Sequence, residues 1–220
     1  MNYFSHAIRF LDRPIFAVST GLPDMLSVID RKMRLRSRRV EPFSDGSGSF
    51  ESEVAAGALQ HLEDDHWFHS TRAFVEVSAQ LTNLFRPVLG EDDRMRCPFL
   101  GHIVTELQLD ATLIERYPAE LDRYYELVRD IDASAVEASV NRMATKTSDR
   151  LAWLISRFAE EQFMRCYTDP ARLLTRLNQV MLRVGLEQIP TALEPVLVES
   201  QTLVRERSDE LLPPEHFEYP

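Results

Sequence analysis

Glycine is scarce in this chain, with 7 residues in 220, and β-branched residues rarely alternate, which argues against a sheet-rich fold. Cysteine is scarcer still: the 2 residues, Cys97 and Cys166, lie far apart. They exclude a disulfide framework and read as free, buried thiols of a cytoplasmic protein. No apolar stretch approaches the ~18 uninterrupted residues of a membrane span. Met1-Asn-Tyr-Phe-Ser-His6 lacks the basic-then-apolar pattern of a signal peptide. Basic residues are the minority charge, 25 against 35 acidic, for a net charge of −10, so the surface as a whole repels duplex nucleic acid and anionic lipid. Two catalytic signatures are also missing. There is no His-Glu-x-x-His for a single-zinc protease and no Gly-x-Ser-x-Gly for a serine hydrolase. Neither cysteine has a histidine at nearby helical spacing.

What is present is apolar residues at helical period: 44% of the chain is hydrophobic, including 12 Phe, enough to build a core. Tyr3, Phe4, Ala7, Ile8 and Leu11 give a short helix over Asn2–Phe10, and Pro14 opens a second. Gly21-Leu-Pro-Asp24 breaks the chain and restarts it with Asp24 in the first turn. Helical period returns from Glu53 through His69, then over Thr71–Leu84, ending before Pro87. Gly90–Arg96 reads as a loop. Pro98 opens a helix that ends near Tyr117-Pro118, and Pro118 starts the next. Asp132 or Ser134 caps a helix to Ala144, and Ser148 caps one over Asp149–Met164. Asp169-Pro170 starts a helix that runs to Val184 and stops at Gly185. Glu194-Pro195 starts a last helix to about Leu211. The Trp, Phe and Tyr residues of this half read as core. The expectation is all-α: one helical bundle of about eight to ten helices over 1–212, with site residues in 1–115, supporting helices over 118–212, and an irregular tail at 213–220.

Two rows of side chains point to chemistry. His61, Asp65 and His69 fall at i, i+4 and i+8, and so do His102, Glu106 and Asp110. On a helix each row lies along one face, and facing helices of this kind can supply one shared site. Imidazole with carboxylate suits a divalent transition metal such as Mn, Zn or Fe. Two or more such ions can clamp a phosphoryl group and generate hydroxide. His6 and Asp24, upstream, join the candidate set; without an ion, His61, Asp65, His69, His102 and Glu106 would form a buried hydrogen-bonded cluster between helices.

Arg31–Arg39 holds six basic residues in nine, a local reversal of sign in an acidic protein. It is either a solvated loop that balances nearby acids or an anion clamp, with Arg34, Arg36 and Arg38 as candidates because guanidinium pairs bidentately with phosphate. Glu41–Glu53 follows, without apolar period, as a flexible surface loop.

Over about the first 115 residues the order Met1-Asn-Tyr-Phe-Ser-His6, Gly21-x2-Asp24, Gly57-x3-His61-x3-Asp65-x3-His69 resembles the acyl carrier protein phosphodiesterase family. That resemblance implies an HD-like metal-dependent hydrolase that frees the phosphopantetheine arm by cutting a phosphodiester to serine, with His6, Asp24, His61 and Asp65 at the metal. This chain departs from the pattern in having His69 in place of an acid, His102-x3-Glu106 in place of paired aspartates, and a longer segment between Asp24 and Gly57. The ligand order is also similar to the zinc-dependent phospholipase C and P1 nuclease group.

The expectation is therefore a metal-dependent phosphodiesterase. His61, Asp65, His102 and Glu106 hold the ions, Asp24 bridges them or acts as base, and His6 and His69 act as ligands or as acid for the leaving oxygen. The alternatives are another phosphodiester, nucleotide or phospholipid, on the same site, or a helical binding scaffold with a relic metal site.

Overall fold

The computed structural model describes residues 1–90 and 95–220; most of the expected Gly90–Arg96 loop therefore lies outside the described residues. The chain is all-helical, with no strand among the described residues. In order the helices are α1 (Tyr3–Ala7), α2 (Pro14–Ser19), α3 (Leu22–Ile29), α4 (Ser37–Val40), α5 (Phe50–Ser70), α6 (Arg72–Leu89), α7 (Arg96–Arg116), α8 (Pro118–Asp130), α9 (Ala133–Met143), α10 (Leu151–Glu161), α11 (Pro170–Val184), α12 (Glu194–Glu206) and α13 (Ser208–Leu211). None of them is long and apolar enough to cross a membrane.

Punctuation residues set many of the ends. Pro14, Pro118 and Pro170 stand in first turns, where no N–H is needed. The Asp132 carboxylate accepts the amide of Ala135 at 2.9 Å and Asp169 that of Arg172 at 3.0 Å, each satisfying a donor that the helix leaves open. Gly185 closes α11 at φ 76°, letting Leu186 N–H reach back to the Met181 carbonyl.

The helices form two compact units, each drawing on both the 1–115 and the 118–212 stretch. The first comprises 1–67, 117–162 and 218–220. Its core includes Phe4, Leu22, Met25, Leu26, Tyr124, Tyr125 and Phe158. Tyr3 meets the Phe158 ring edge-on at 4.9 Å. The second comprises 68–116 and 163–217. Here α6 and α7 pack so closely that a Cβ at Gly101 would overlap Thr82 Oγ1. Gln108 Nε2 ties α7 to α12 through the Leu197 carbonyl at 3.2 Å. Cys97 and Cys166 are not disulfide-bonded and are buried in this unit.

Several sequence expectations need correction. The last helix, expected to reach Leu211, stops at Glu206 and restarts as α13, and Arg150 rather than Ser148 stands at the N-cap of α10. Helix α6 runs through Pro87 to Leu89; the ring removes one donor in the last turn, and Gly90 N–H still bonds to the Arg86 carbonyl. Helix α5 begins at Phe50, inside the expected loop, with Ser49 Oγ accepting the Ser52 amide. Helix α10 stops at Glu161, where Gln162 adopts φ 45° and a 3₁₀ turn follows. Trp153 is 56% exposed rather than core, with Arg150 over its ring. The tail after Leu212 is irregular, yet Phe217 within it is buried.

Candidate functional site

The first unit gathers His6, His61 and Asp65, whose donor atoms lie within 4.8 Å of one another. Helix packing produces the arrangement. A Cβ at Gly57 would overlap the Phe16 carbonyl and lie 2.7 Å from Ser19 Cβ, so α5 rests directly against the C-terminal half of α2. One turn further along α5, His61 Nδ1 sits 2.8 Å from the Thr20 carbonyl. A carbonyl can only accept, so Nδ1 carries the proton and Nε2 keeps its lone pair. His6, from α1, places Nδ1 3.2 Å from Asp64 Oδ2, which selects the same tautomer. The two rings stack with centroids 4.1 Å apart.

Their Nε2 atoms then face one carboxylate. His6 Nε2 is 3.4 Å from Asp65 Oδ1, and His61 Nε2 is 3.4 Å from Asp65 Oδ2. The His6 contact lacks hydrogen-bond geometry: its Nε2 is buried without a hydrogen-bond partner. A tetrahedral ion with ligand bonds of about 2.0–2.1 Å separates its donor atoms by about 3.3–3.4 Å. Spacing, tautomers and an orphaned lone pair thus fit a divalent transition metal. Asp65 Oδ1 also accepts the Met1 amino group at 2.9 Å.

Asp64 stands behind His6. It is fully buried and accepts from Arg9, from Gln60 Nε2 at 2.9 Å and from Trp67 Nε1 at 3.2 Å. Burial pushes its carboxyl up, but His6 and Arg9 outweigh that and bring it down to about 2. Burial likewise opposes ionisation of Asp65, and the two imidazoles and the amino group hold it well below the usual carboxylate range. Burial would push His6 down; Asp64 and Asp65 raise it instead.

The second unit gathers His69, His102 and Glu106. His69 ends α5, where Thr71 turns the chain by accepting the Phe74 amide and donating to the Phe68 carbonyl. His102 and Glu106 are one turn apart on α7. Glu106 Oε1 lies 2.8 Å from His69 Nε2 and 3.3 Å from His102 Nε2. Burial raises the Glu106 carboxyl, but the positive charge of the chain's amino group, followed by the hydrogen bonds with His102 and His69, holds it below the usual carboxylate range. The imidazoles stack at 4.9 Å, and the buried Phe74 ring meets both edge-on, at 4.8 and 5.0 Å.

The row His61–Asp65–His69 is therefore not one ligand set. Eight residues of helix rise about 12 Å, too far for donor atoms to converge on one ion. Asp24 occupies the first turn of α3, half-buried, and belongs to neither group. Asp110 is fully buried and likewise outside both.

The basic run turns at Arg31-Lys32 and has no regular secondary structure over 33–36 before α4. Met33 and Leu35 are buried, alternating with exposed Arg34 and Arg36; Arg38 is exposed on α4. Among the described residues no acidic side chain pairs with Arg34, Arg36 or Arg38. Between α4 and α5 an open groove of about 610 Å³ is lined by Ser37, Glu41, Ala56, Leu59, Gln60 and Glu63, among others. Its Gln60 is the same residue that donates to Asp64.

Asp64 and the Thr20 carbonyl are not singled out by motif or spacing, and Phe74 reads only as an apolar position of its helix. Only Asp64 left a signal: it is one acid of an Asp-Asp pair within the histidine row. Comparison with family models, with curated proteins and with solved structures found no match.

Proposed function

We propose that this protein is a metal-dependent phosphodiesterase whose divalent transition ion (Mn, Zn or Fe) is held by His6, His61 and Asp65. One observation carries the metal assignment: two buried imidazoles have their Nδ1 edges committed to Asp64 and Thr20, and their Nε2 edges face one ionised carboxylate. Bound there, the ion supplies Lewis-acid chemistry for a phosphoryl centre and lowers the pKa of water. The protein's own groups do the rest. Asp64 and Thr20 hold the ring tautomers. The part-exposed Asp65, at 33%, leaves the set open on one side. Arg36 and Arg38 flank Ser37 of the groove and, with Arg34, hold an anionic substrate.

The order of residues around His6, Asp24, His61 and Asp65 supports acyl carrier protein as the substrate, with phosphopantetheine as the product. The exposed arginines suit a partner of that acidic kind. The test is hydrolysis of bis(p-nitrophenyl) phosphate by protein loaded with Mn²⁺ or Zn²⁺, followed by release of phosphopantetheine from holo acyl carrier protein. Turnover that needs added metal and is lost in His61→Ala is expected. No turnover of either compound by fully loaded protein would contradict the reading.

A further inference from the structure

We infer that His69, His102 and Glu106 form a second divalent-metal site, in the other unit of the fold, of the zinc class and open to solvent. Two imidazoles and one carboxylate are a donor set that suits zinc, with a remaining position for water or ligand. Both Nε2 atoms meet the same carboxylate oxygen, Glu106 Oε1. The His102 distance of 3.3 Å already equals the edge of a tetrahedral zinc site of about 3.3–3.4 Å. The His69 distance of 2.8 Å opens to that value by a small movement of one ring.

The rings are held ready by packing. Phe74 meets both edge-on from α6, and the rings stack on each other at an interplanar angle of 30°. The site also differs in kind from the one at His6. There the two imidazole side chains are 0% and 3% exposed; here His102 is 50% and His69 32% exposed, and only Glu106, at 15%, is nearly buried. Open coordination positions therefore face water, and the ion exchanges with a soluble chelator faster than one held by His6, His61 and Asp65.

The probe is Zn²⁺ alone, titrated by calorimetry into metal-free full-length protein, with His61→Ala, Asp65→Asn and His102→Ala as variants and a thermal melt as fold control. Wild type is expected to take two equivalents, and each variant one. Asp65→Asn serves if His61→Ala fails to fold. Two equivalents in His102→Ala would overturn the second site. So would a single wild-type equivalent that the first-unit variants lose and His102→Ala keeps, a result that leaves the phosphodiesterase site standing. A single equivalent lost in every variant would mean one shared site, and would also overturn the inference. A single equivalent lost only in His102→Ala would establish the second site and remove the basis of the proposed function.

Discussion

Asp64 Oδ2 lies 3.2 Å from His6 Nδ1, across 58 positions of sequence. The contact fixes which nitrogen of His6 carries the proton, and so which one is left facing Asp65. Arg9, Gln60 and Trp67 fix Asp64 in turn.

Asp64→Asn removes the charge that partners Arg9, whose side chain is only 11% exposed. Removing one charge of a buried ion pair costs about 3 kcal/mol or more, a fall in melting temperature of about 6–12 °C for a chain of this size. The variant should also bind metal roughly 10- to 100-fold more weakly, as changes behind a ligating histidine do. Unchanged stability and unchanged zinc affinity would together show that Asp64 does not position His6.

Acid unfolding of the metal-free protein should report the same carboxylate. The Asp64 pKa falls from its ordinary 3.8 to about 2 on folding. A depressed pKa stabilises above the unfolded value and loses that contribution as pH falls from about 4 to about 2. His6 has the opposite sign: raised above 6.5, it stabilises fully below that value and loses the contribution as pH climbs through its folded pKa. Denaturant melts from pH 2 to 8 should show both slopes, and Asp64→Asn should flatten the acid one.

Gly57→Ala should destabilise by about 2 kcal/mol, in the range of overpacked cores. The clash is with the backbone of α2, which cannot rotate away as a side chain would. Because the same contact sets the His61 to Thr20 distance, zinc affinity should drop as well. A variant with wild-type melting temperature and zinc affinity would show that α5 does not depend on this close approach.

Charge reversal of Arg34, Arg36 and Arg38 to Glu should leave the melting temperature within about 2 °C, since exposed charges without partners contribute little to folding. Binding of an acidic carrier protein should weaken, and wild-type binding should fall as salt rises. Met33→Ala is the contrast: that residue is buried, and the variant should lose about 2–5 kcal/mol. A large stability loss in the reversed variant would reassign these arginines to the fold.

Helix starts and stops were legible in the sequence wherever a single residue type dictates local geometry. Asp169-Pro170 with Gly185, Asp132, and Pro118 each act within one turn. The candidate ligands were legible too, because His and carboxylate at i, i+4 is a local pattern. Their grouping was not, since it depends on which helices meet: His6 reaches α5 from α1, and His69 reaches α7. Thr20 contributes a backbone carbonyl, which no residue type announces. Alternation of Met33 and Leu35 with Arg34 and Arg36 is a period-2 signal that the charge of the run conceals. Trp153 shows the converse, an aromatic whose helix buries another face.

The most direct test of the central claim is a long-range ¹H–¹⁵N correlation spectrum of the histidine side chains, recorded without metal and with saturating Zn²⁺. The account predicts that His6 and His61 keep protonated Nδ1 throughout and that both their Nε2 resonances shift on addition of zinc. Nε2 signals of His6 and His61 that stay in place at saturation, or zinc that attaches through Nδ1, would contradict it.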